Sequence, residues 1–301
     1  MSKKVIKSYK AFDKNMRCRD FQYEVGKEYE MDGEIKCYER GFHACKSPME
    51  VWDHYDMLSS RFAEVEQSGK IEEEGNSTKV CSSRIKIKAE LKLADIINIG
   101  VEWLKDITSP TKVKTDIAQI GSSGDSAQIG SSGDYAQIGS SGYYAQIGSS
   151  GYSAQIGSSG DYAQIGSSGY SAKIGSSGDS AKIGSSGNSA QIGSSGYYAQ
   201  IGSSGDYAKI GSSGDYAQIG SSGYSAKINS TGEDSVIMCA GDNSKAKAKA
   251  GSWITLSEWK WNDDKKRRVP VCVKTEFVDG NNIKADTWYQ LKNGEFVEVT
   301  E

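Results

Sequence analysis

The chain has 301 residues, 36 Lys+Arg against 39 Asp+Glu, 37% hydrophobic residues, and 35 glycines but only three prolines. A net charge of −3 excludes a strongly basic nucleic-acid binder, and no apolar run approaches the ~18 residues that span a bilayer. The opening MSKKVIKSYK has no apolar leader, so the expectation is a soluble, cytoplasmic protein without membrane contact, its scattered cysteines free thiols in a reducing compartment.

Residues 1–110 have ordinary composition and read as a small α+β domain. Strands are expected at Val5–Phe12, Phe21–Met31, Ile35–Cys45, Arg61–Gln67 and Lys79–Leu91. Between the third and fourth, Ser47 as N-cap, Pro48 at the first helical position and Glu50 form a capping box that predicts a helix. A second helix is predicted over Leu93–Ile107, with Ile96, Ile97, Val101 and Leu104 on one face.

The same region holds both histidines. Cys37, His43, Cys45 and His54 could bring four nitrogen and sulfur ligands together, although their spacing matches no common zinc pattern. Cys45 also precedes the capped helix and His54 follows it, which makes a Cys-His nucleophile pair a second candidate. Glu72, Glu73 and Glu74 read as a solvated charge run, and no cofactor is implied.

From Ala118 to Ser225 one nine-residue unit, A-[QK]-I-G-S-S-G-[DYN]-[YS], repeats twelve times without insertion. So strict a period means a stacked solenoid, since one unit cannot bury enough surface to order itself. Ala and Ile at i and i+2 define a short strand that buries both and exposes the Gln or Lys between them. GSSG supplies the corner, where glycine is expected to take the positive φ. A parallel β-solenoid in a two-sided roll of about 18 residues per coil is the expected fold, because three sides and 27 residues would leave the interior underfilled. The three-sided alternative is favoured by tyrosines at every third unit: Tyr143, Tyr170, Tyr197 and Tyr224. Asp161 and Asp179, stacked on each other in the two-sided register, count mildly against it. The repeat is reminiscent of calcium-binding nonapeptide rolls, but aspartate lies four residues before the apolar position and fills only half of the eighth positions. Ice-nucleation repeats and trimeric adhesin heads are also similar, yet the threonine ladders of the former are missing here.

Repeats decay over 226–252, giving a solenoid domain of 111–252. The tail, 253–301, carries Trp253, Trp259, Trp261 and Trp288, with a hairpin expected at Asn293-Gly294. It reads as a small β cap that blocks end-to-end strand pairing.

CRDFQYEVGKEYE at Cys18–Glu30, RGFHACKSP at Arg40–Pro48, the nine-residue repeats, then GSWITLSEW and KNGEFVEV, together resemble an uncharacterised family of phage and prophage proteins. The resemblance runs along the whole chain and implies a viral or mobile-element origin, but supplies no catalytic residue or cofactor. A strand followed by GFHAC and a helix is also similar to ADP-ribosyltransferase folds, although no Arg, Ser and Glu motif can be placed. The leading expectation is an intracellular interaction protein that binds and inhibits a host macromolecule, as a counter-defence protein would. An enzyme in residues 1–110, of ADP-ribosyltransferase-like or Cys-His type, and a self-assembling homo-oligomer are the alternatives. The partner is expected to be a host or phage protein, not nucleic acid, bound through the repeat tyrosines Tyr143, Tyr170, Tyr197, Tyr224, Tyr135, Tyr162 and Tyr216.

Overall fold

The computed structural model describes residues 4–73, 78–107 and 119–300; Glu74 and the predicted boundary at residue 110 lie outside them. The fold is mainly β, with 48% strand and 6% helix. Contacts divide the chain into two compact units, Met1–Trp103 and Leu104–Glu301.

The first unit is built on five strands: β1 (Ile6–Phe12), β2 (Glu28–Glu30), β3 (Phe42–Cys45), β4 (Arg61–Glu73) and β5 (Lys79–Leu91). All pairings are antiparallel. β1 joins β4 on one side and β3 on the other, β3 joins β5, and β5 returns to β4. The sheet therefore closes on itself. Phe12, Phe42, Ala63, Val65, Ile85 and Ile87 fill its interior. Fully buried Gln67 ties the closure, its amide donating to the Phe42 and Val80 carbonyls at 2.8 and 3.0 Å and to Ser82 Oγ at 3.1 Å.

Two expected long strands are interrupted. The stretch 21–31 breaks at Gly26, whose φ of 86° turns the chain between Phe21–Gln22 and β2. The stretch 35–45 turns at Tyr38 and Gly41, at φ 70° and 140°, leaving only Phe42–Cys45 in the sheet. Helix α1 (Leu93–Ile107) forms as predicted, and its apolar face of Ile96, Ile97, Val101 and Leu104 is fully buried.

The capping box does not form. Met49–Asp53 is a single 3-10 turn with Pro48, not Ser47, at its N-cap and no side-chain cap. Glu50 instead accepts from the backbone N–H and hydroxyl of Thr78, and Thr78 Oγ1 in turn accepts the Ser47 N–H at 2.9 Å. A partner far along the chain outcompetes the local cap.

In the second unit the repeat folds as a two-sided parallel roll of about eight coils. Each strand pairs with the one 18 residues on: Ile120 faces Ile138, Ile138 faces Ile156, and on the other side Ile129 faces Ile147. The 27-residue register is thereby excluded. Strands from Gln119, Gln137, Gln155 and onward form the first face; those from Gln128, Gln146, Gln164 and onward form the second. The decaying repeats stay in the stack, with Lys227–Ser230, Val236–Cys239 and Lys245–Lys247 each occupying a rung.

Inward positions are Ala, Ile and the first Ser of GSSG, so the strand runs one residue beyond the expected corner. Outward Gln and Lys reach solvent along the second face, whereas on the first face Gln137 and Lys173 are only 8% and 5% exposed.

The corner works differently from expectation. In nine of the twelve repeats positive φ falls on the ninth residue, Tyr or Ser: 55° at Tyr144, 56° at Tyr162, 55° at Ser180. Its N–H donates to the eighth-position carbonyl one coil on, as in Ser180 to Tyr197 at 2.7 Å. Glycine is needed two residues earlier, for closeness: a Cβ on Gly178 would lie 2.1 Å from the carbonyl oxygen of Gly160. A left-handed conformation costs an L-residue roughly 1–2 kcal/mol. Ser180→Gly, which keeps the N–H, is therefore expected to raise stability by up to about 1 kcal/mol in chemical denaturation, net of the extra unfolded-state entropy; a loss of stability would refute this account of the corner.

The tail continues both sheets rather than standing apart. Trp253–Asn262 stacks in parallel on Val236–Cys239 and folds back as a hairpin with Arg267–Phe277. On the first face Tyr289–Lys292 meets Ala246 in antiparallel direction and pairs with Glu295–Glu298 across Asn293-Gly294. Those two turn residues have φ of 53° and 75°, as a two-residue hairpin requires. Of the tail tryptophans, Trp288 is buried with Lys245 and Lys247 over its ring, while Trp259 donates to the Ala240 carbonyl at 3.1 Å.

Candidate functional site

Two features carry chemistry: a cavity in the first unit and the tyrosine-bearing edges of the roll.

The cavity has a volume of about 630 Å³ and opens beside β1 and β3. Lys10 on β1 points into it although only 5% exposed, donating to the His43 carbonyl at 2.9 Å and Cys18 Sγ at 3.4 Å. Lys79, 6% exposed, places its ammonium 3.9 Å from the centre of the Tyr38 ring. Arg19 and Asp20 stand exposed in the same lining. Aromatic side chains make much of the remaining wall, including Phe21, Tyr23, Tyr38 and Tyr55. Tyr55 donates to Cys18 Sγ at 2.7 Å, and burial above all holds the Tyr23 and Tyr55 phenols well above their ordinary pKa.

Three of the four proposed metal ligands, His43, Cys45 and His54, line this cavity; Cys37 does not, and is held by Glu72, which accepts its N–H at 2.6 Å. Among the described residues no group of three or more His, Cys, Asp or Glu is placed to hold a metal ion. His43 Nε2 accepts the Tyr38 N–H at 3.0 Å. Burial, then the charges of Lys10, Lys79 and Arg19, push its pKa down to about 4, so the imidazole is neutral at physiological pH.

Cys45 does not have the environment of a nucleophile. It lies within β3, opposite Tyr9 and Lys79, at 3% exposure rather than at a solvated helix start. Burial pushes its thiol up to about 12, which keeps it protonated at neutral pH. Sequence reasoning missed Lys10 and Lys79, because alternation in a strand does not reveal that a lysine faces inward.

On the roll, the 18-residue coil redistributes the tyrosines. Tyr143 and Tyr197 lie on the first edge, the turns that follow first-face strands; Tyr170 and Tyr224 lie on the second edge. The row at every third unit is therefore split between opposite edges. Other neighbours meet instead: Tyr144 stacks on Tyr162 at 5.0 Å and Tyr198 on Tyr216 at 5.1 Å along the first edge, and Tyr152 on Tyr170 at 5.3 Å along the second. Tyr135, Tyr162 and Tyr216 occupy ninth positions, with Tyr135 on the second edge. All eleven repeat tyrosines stay 42–65% exposed.

Eighth-position aspartates serve the backbone. Asp125, Asp179 and Asp206 accept the N–H of Tyr143, Tyr197 and Tyr224 one coil on, at 2.8–3.1 Å. Asp161 accepts the Asp179 N–H at 2.8 Å, so the pair that counted against the two-sided register is bridged by a hydrogen bond.

No helix among the described residues is long and apolar enough to cross a membrane. No curated protein and no solved structure matches the chain. Residues 6–99, the cavity-bearing part of the chain, match the family model of a domain of unknown function, DUF7666.

Proposed function

We propose that the repeat roll is a rigid scaffold whose tyrosine-bearing edges dock a protein partner. The observation that carries this reading is the exposure of all eleven repeat tyrosines, six of which stay exposed while stacked in pairs. Stacking fixes the six paired rings at the coil spacing, so little of their rotamer entropy remains to be lost on binding. Three lysines and six aspartates in the twelve repeats leave a mildly acidic surface, which fits a protein better than a nucleic acid. The resemblance to phage and prophage proteins makes a host macromolecule the partner class, and inhibition of it in the host cytoplasm the effect.

Two multiple variants separate the edges. One replaces Tyr143, Tyr144, Tyr162, Tyr197, Tyr198 and Tyr216 by Ser, the other Tyr135, Tyr152, Tyr170, Tyr207 and Tyr224. Both are expected to keep their β circular-dichroism signal, since Ser already fills many ninth positions. One of them is expected to lose the stoichiometric protein partner that the wild-type chain retains on purification from host cells. Retention by both variants would remove the edges from the proposal, and a wild-type chain that co-purifies only with copies of itself would favour self-assembly.

A further inference from the structure

The repeats decay asymmetrically. On the last coils the second face replaces its outward Gln or Lys and its outward Gly by Val236 and Met238, while Ile237 and Cys239 stay inward. On the neighbouring rungs the first face keeps polar residues outward, Lys227 and Asn229, then Lys245 and Lys247. Relaxation of the repeat alone would touch both faces alike, so the apolar change marks one of them.

The tail carries the change further. Val236 pairs with Trp253 and Trp253 with Phe277, while Met238 pairs with Thr255 and Thr255 with Thr275, so two outward columns run unbroken from the roll onto the terminal hairpin. The Trp253 and Phe277 rings meet at 5.0 Å and the two threonine hydroxyls at 2.9 Å, which fixes this surface. Val236, Met238, Trp253, Val273 and Phe277 are nonetheless 41–64% exposed. Together they present about 500 Å² of contiguous apolar surface, near the upper limit for a soluble monomer. Beside them the second face continues as a shallow trough floored by glycine, where a Cβ added at Gly202 or Gly220 meets nothing within 4 Å.

We infer that this surface is the contact between two copies of the chain, packed second face to second face about a twofold axis. Such a contact sets a patch against itself, so the patch must be self-complementary. None of the outward residues on these three strands is charged. Two copies therefore meet without like-charge repulsion, while a strongly charged partner finds no counter-charge there. Homodimer interfaces are about 65% apolar, so about 500 Å² of apolar surface corresponds to roughly 800 Å² per copy, the size of a standard stable interface. The glycine column keeps the rim flat, as two sheets packed face to face require. A twofold contact also closes on itself and yields a dimer rather than a fibre. It uses the sheet surface and leaves the tyrosine edges free, so this inference and the docking proposal can fail separately.

Sedimentation equilibrium of the full chain tests this. A reversible monomer–dimer equilibrium is expected, with a dissociation constant in the micromolar range. Val236→Gln combined with Met238→Gly restores the residues that the preceding coils carry outward. It is expected to weaken the dimer by about ten-fold or more while keeping the β circular-dichroism signal. Should that variant fail to fold, Phe277→Thr on the outermost strand is expected to weaken the dimer several-fold. Lys227→Gln, the same kind of restoration on the first face, is expected to leave it unchanged. A chain that stays monomeric well above micromolar concentration would overturn the inference. So would a dimer that the folded second-face variants leave at full strength, one that Lys227→Gln weakens equally, or a monomer that instead co-sediments with phosphatidylcholine vesicles.

Discussion

Ile174→Asp is expected to destroy the roll, while Lys182→Gln leaves it intact. Ile174 is fully buried and stacked between Ile156 and Ile192 in the column that fills the first face. Its loss forfeits roughly 1.5–3 kcal/mol of burial. The carboxylate that replaces it enters an interior of Ala, Ile and Ser with no cation, so it must either be neutralised or pull the coil open. Coils hold each other only through nearest neighbours, so a break in the middle leaves two shorter stacks, each with an uncovered end. Lys182, by contrast, points outward on the exposed second face, where Gln already stands at Gln164 and Gln200 on either side. Thermal melts followed by far-ultraviolet circular dichroism, with limited proteolysis of the folded state, distinguish the outcomes. Comparable melting of the two variants would sink the claim that the Ile column holds the solenoid.

What the sequence made legible follows the range of the interactions involved. The nine-residue period, the inward Ala and Ile, β5, α1 and the Asn293-Gly294 hairpin depend on local pattern and were readable. The coil length followed from filling the interior, against a misleading tyrosine periodicity of 27 residues. Partners distant in sequence were not readable. Glu50 belongs to Thr78 rather than to Ser47, and Lys10 meets His43 across the sheet. The corner was half legible: glycine's presence was explained by positive φ, whereas the strain sits on Tyr and Ser and glycine answers to the coil below. The cavity was legible only through its histidines and cysteines; the cations that define its electrostatics lie on strands that read as ordinary alternation.

The two kinds of repeat glycine allow a direct test of that corner. Gly178→Ala is expected to destabilise the second unit by roughly 3 kcal/mol or more, the upper range for an overpacked site. Its added Cβ would sit 2.1 Å from Gly160 O, 2.5 Å from Gly160 C and 2.9 Å from the Asp161 N. All three atoms are backbone, so no side chain can swing aside. Relief requires the coils to separate, which would lengthen hydrogen bonds such as Ser177 to Ser158 at 2.9 Å and Tyr162 to Asp179 at 2.8 Å. Gly184, on the outward side of the second face, is the opposite case: a Cβ there meets nothing within 4 Å, and its φ lies outside the positive range. Gly184→Ala is expected to be neutral or to add a few tenths of a kcal/mol by restricting the unfolded chain. At ~2–4 °C of melting temperature per kcal/mol for a unit of this size, Gly178→Ala should fall by roughly 6–12 °C while Gly184→Ala stays within about 2 °C of the wild type. Equal shifts would mean that the close Gly-to-carbonyl approach does not set the coil spacing, and the corner would then have to be explained by the ninth-position residue alone.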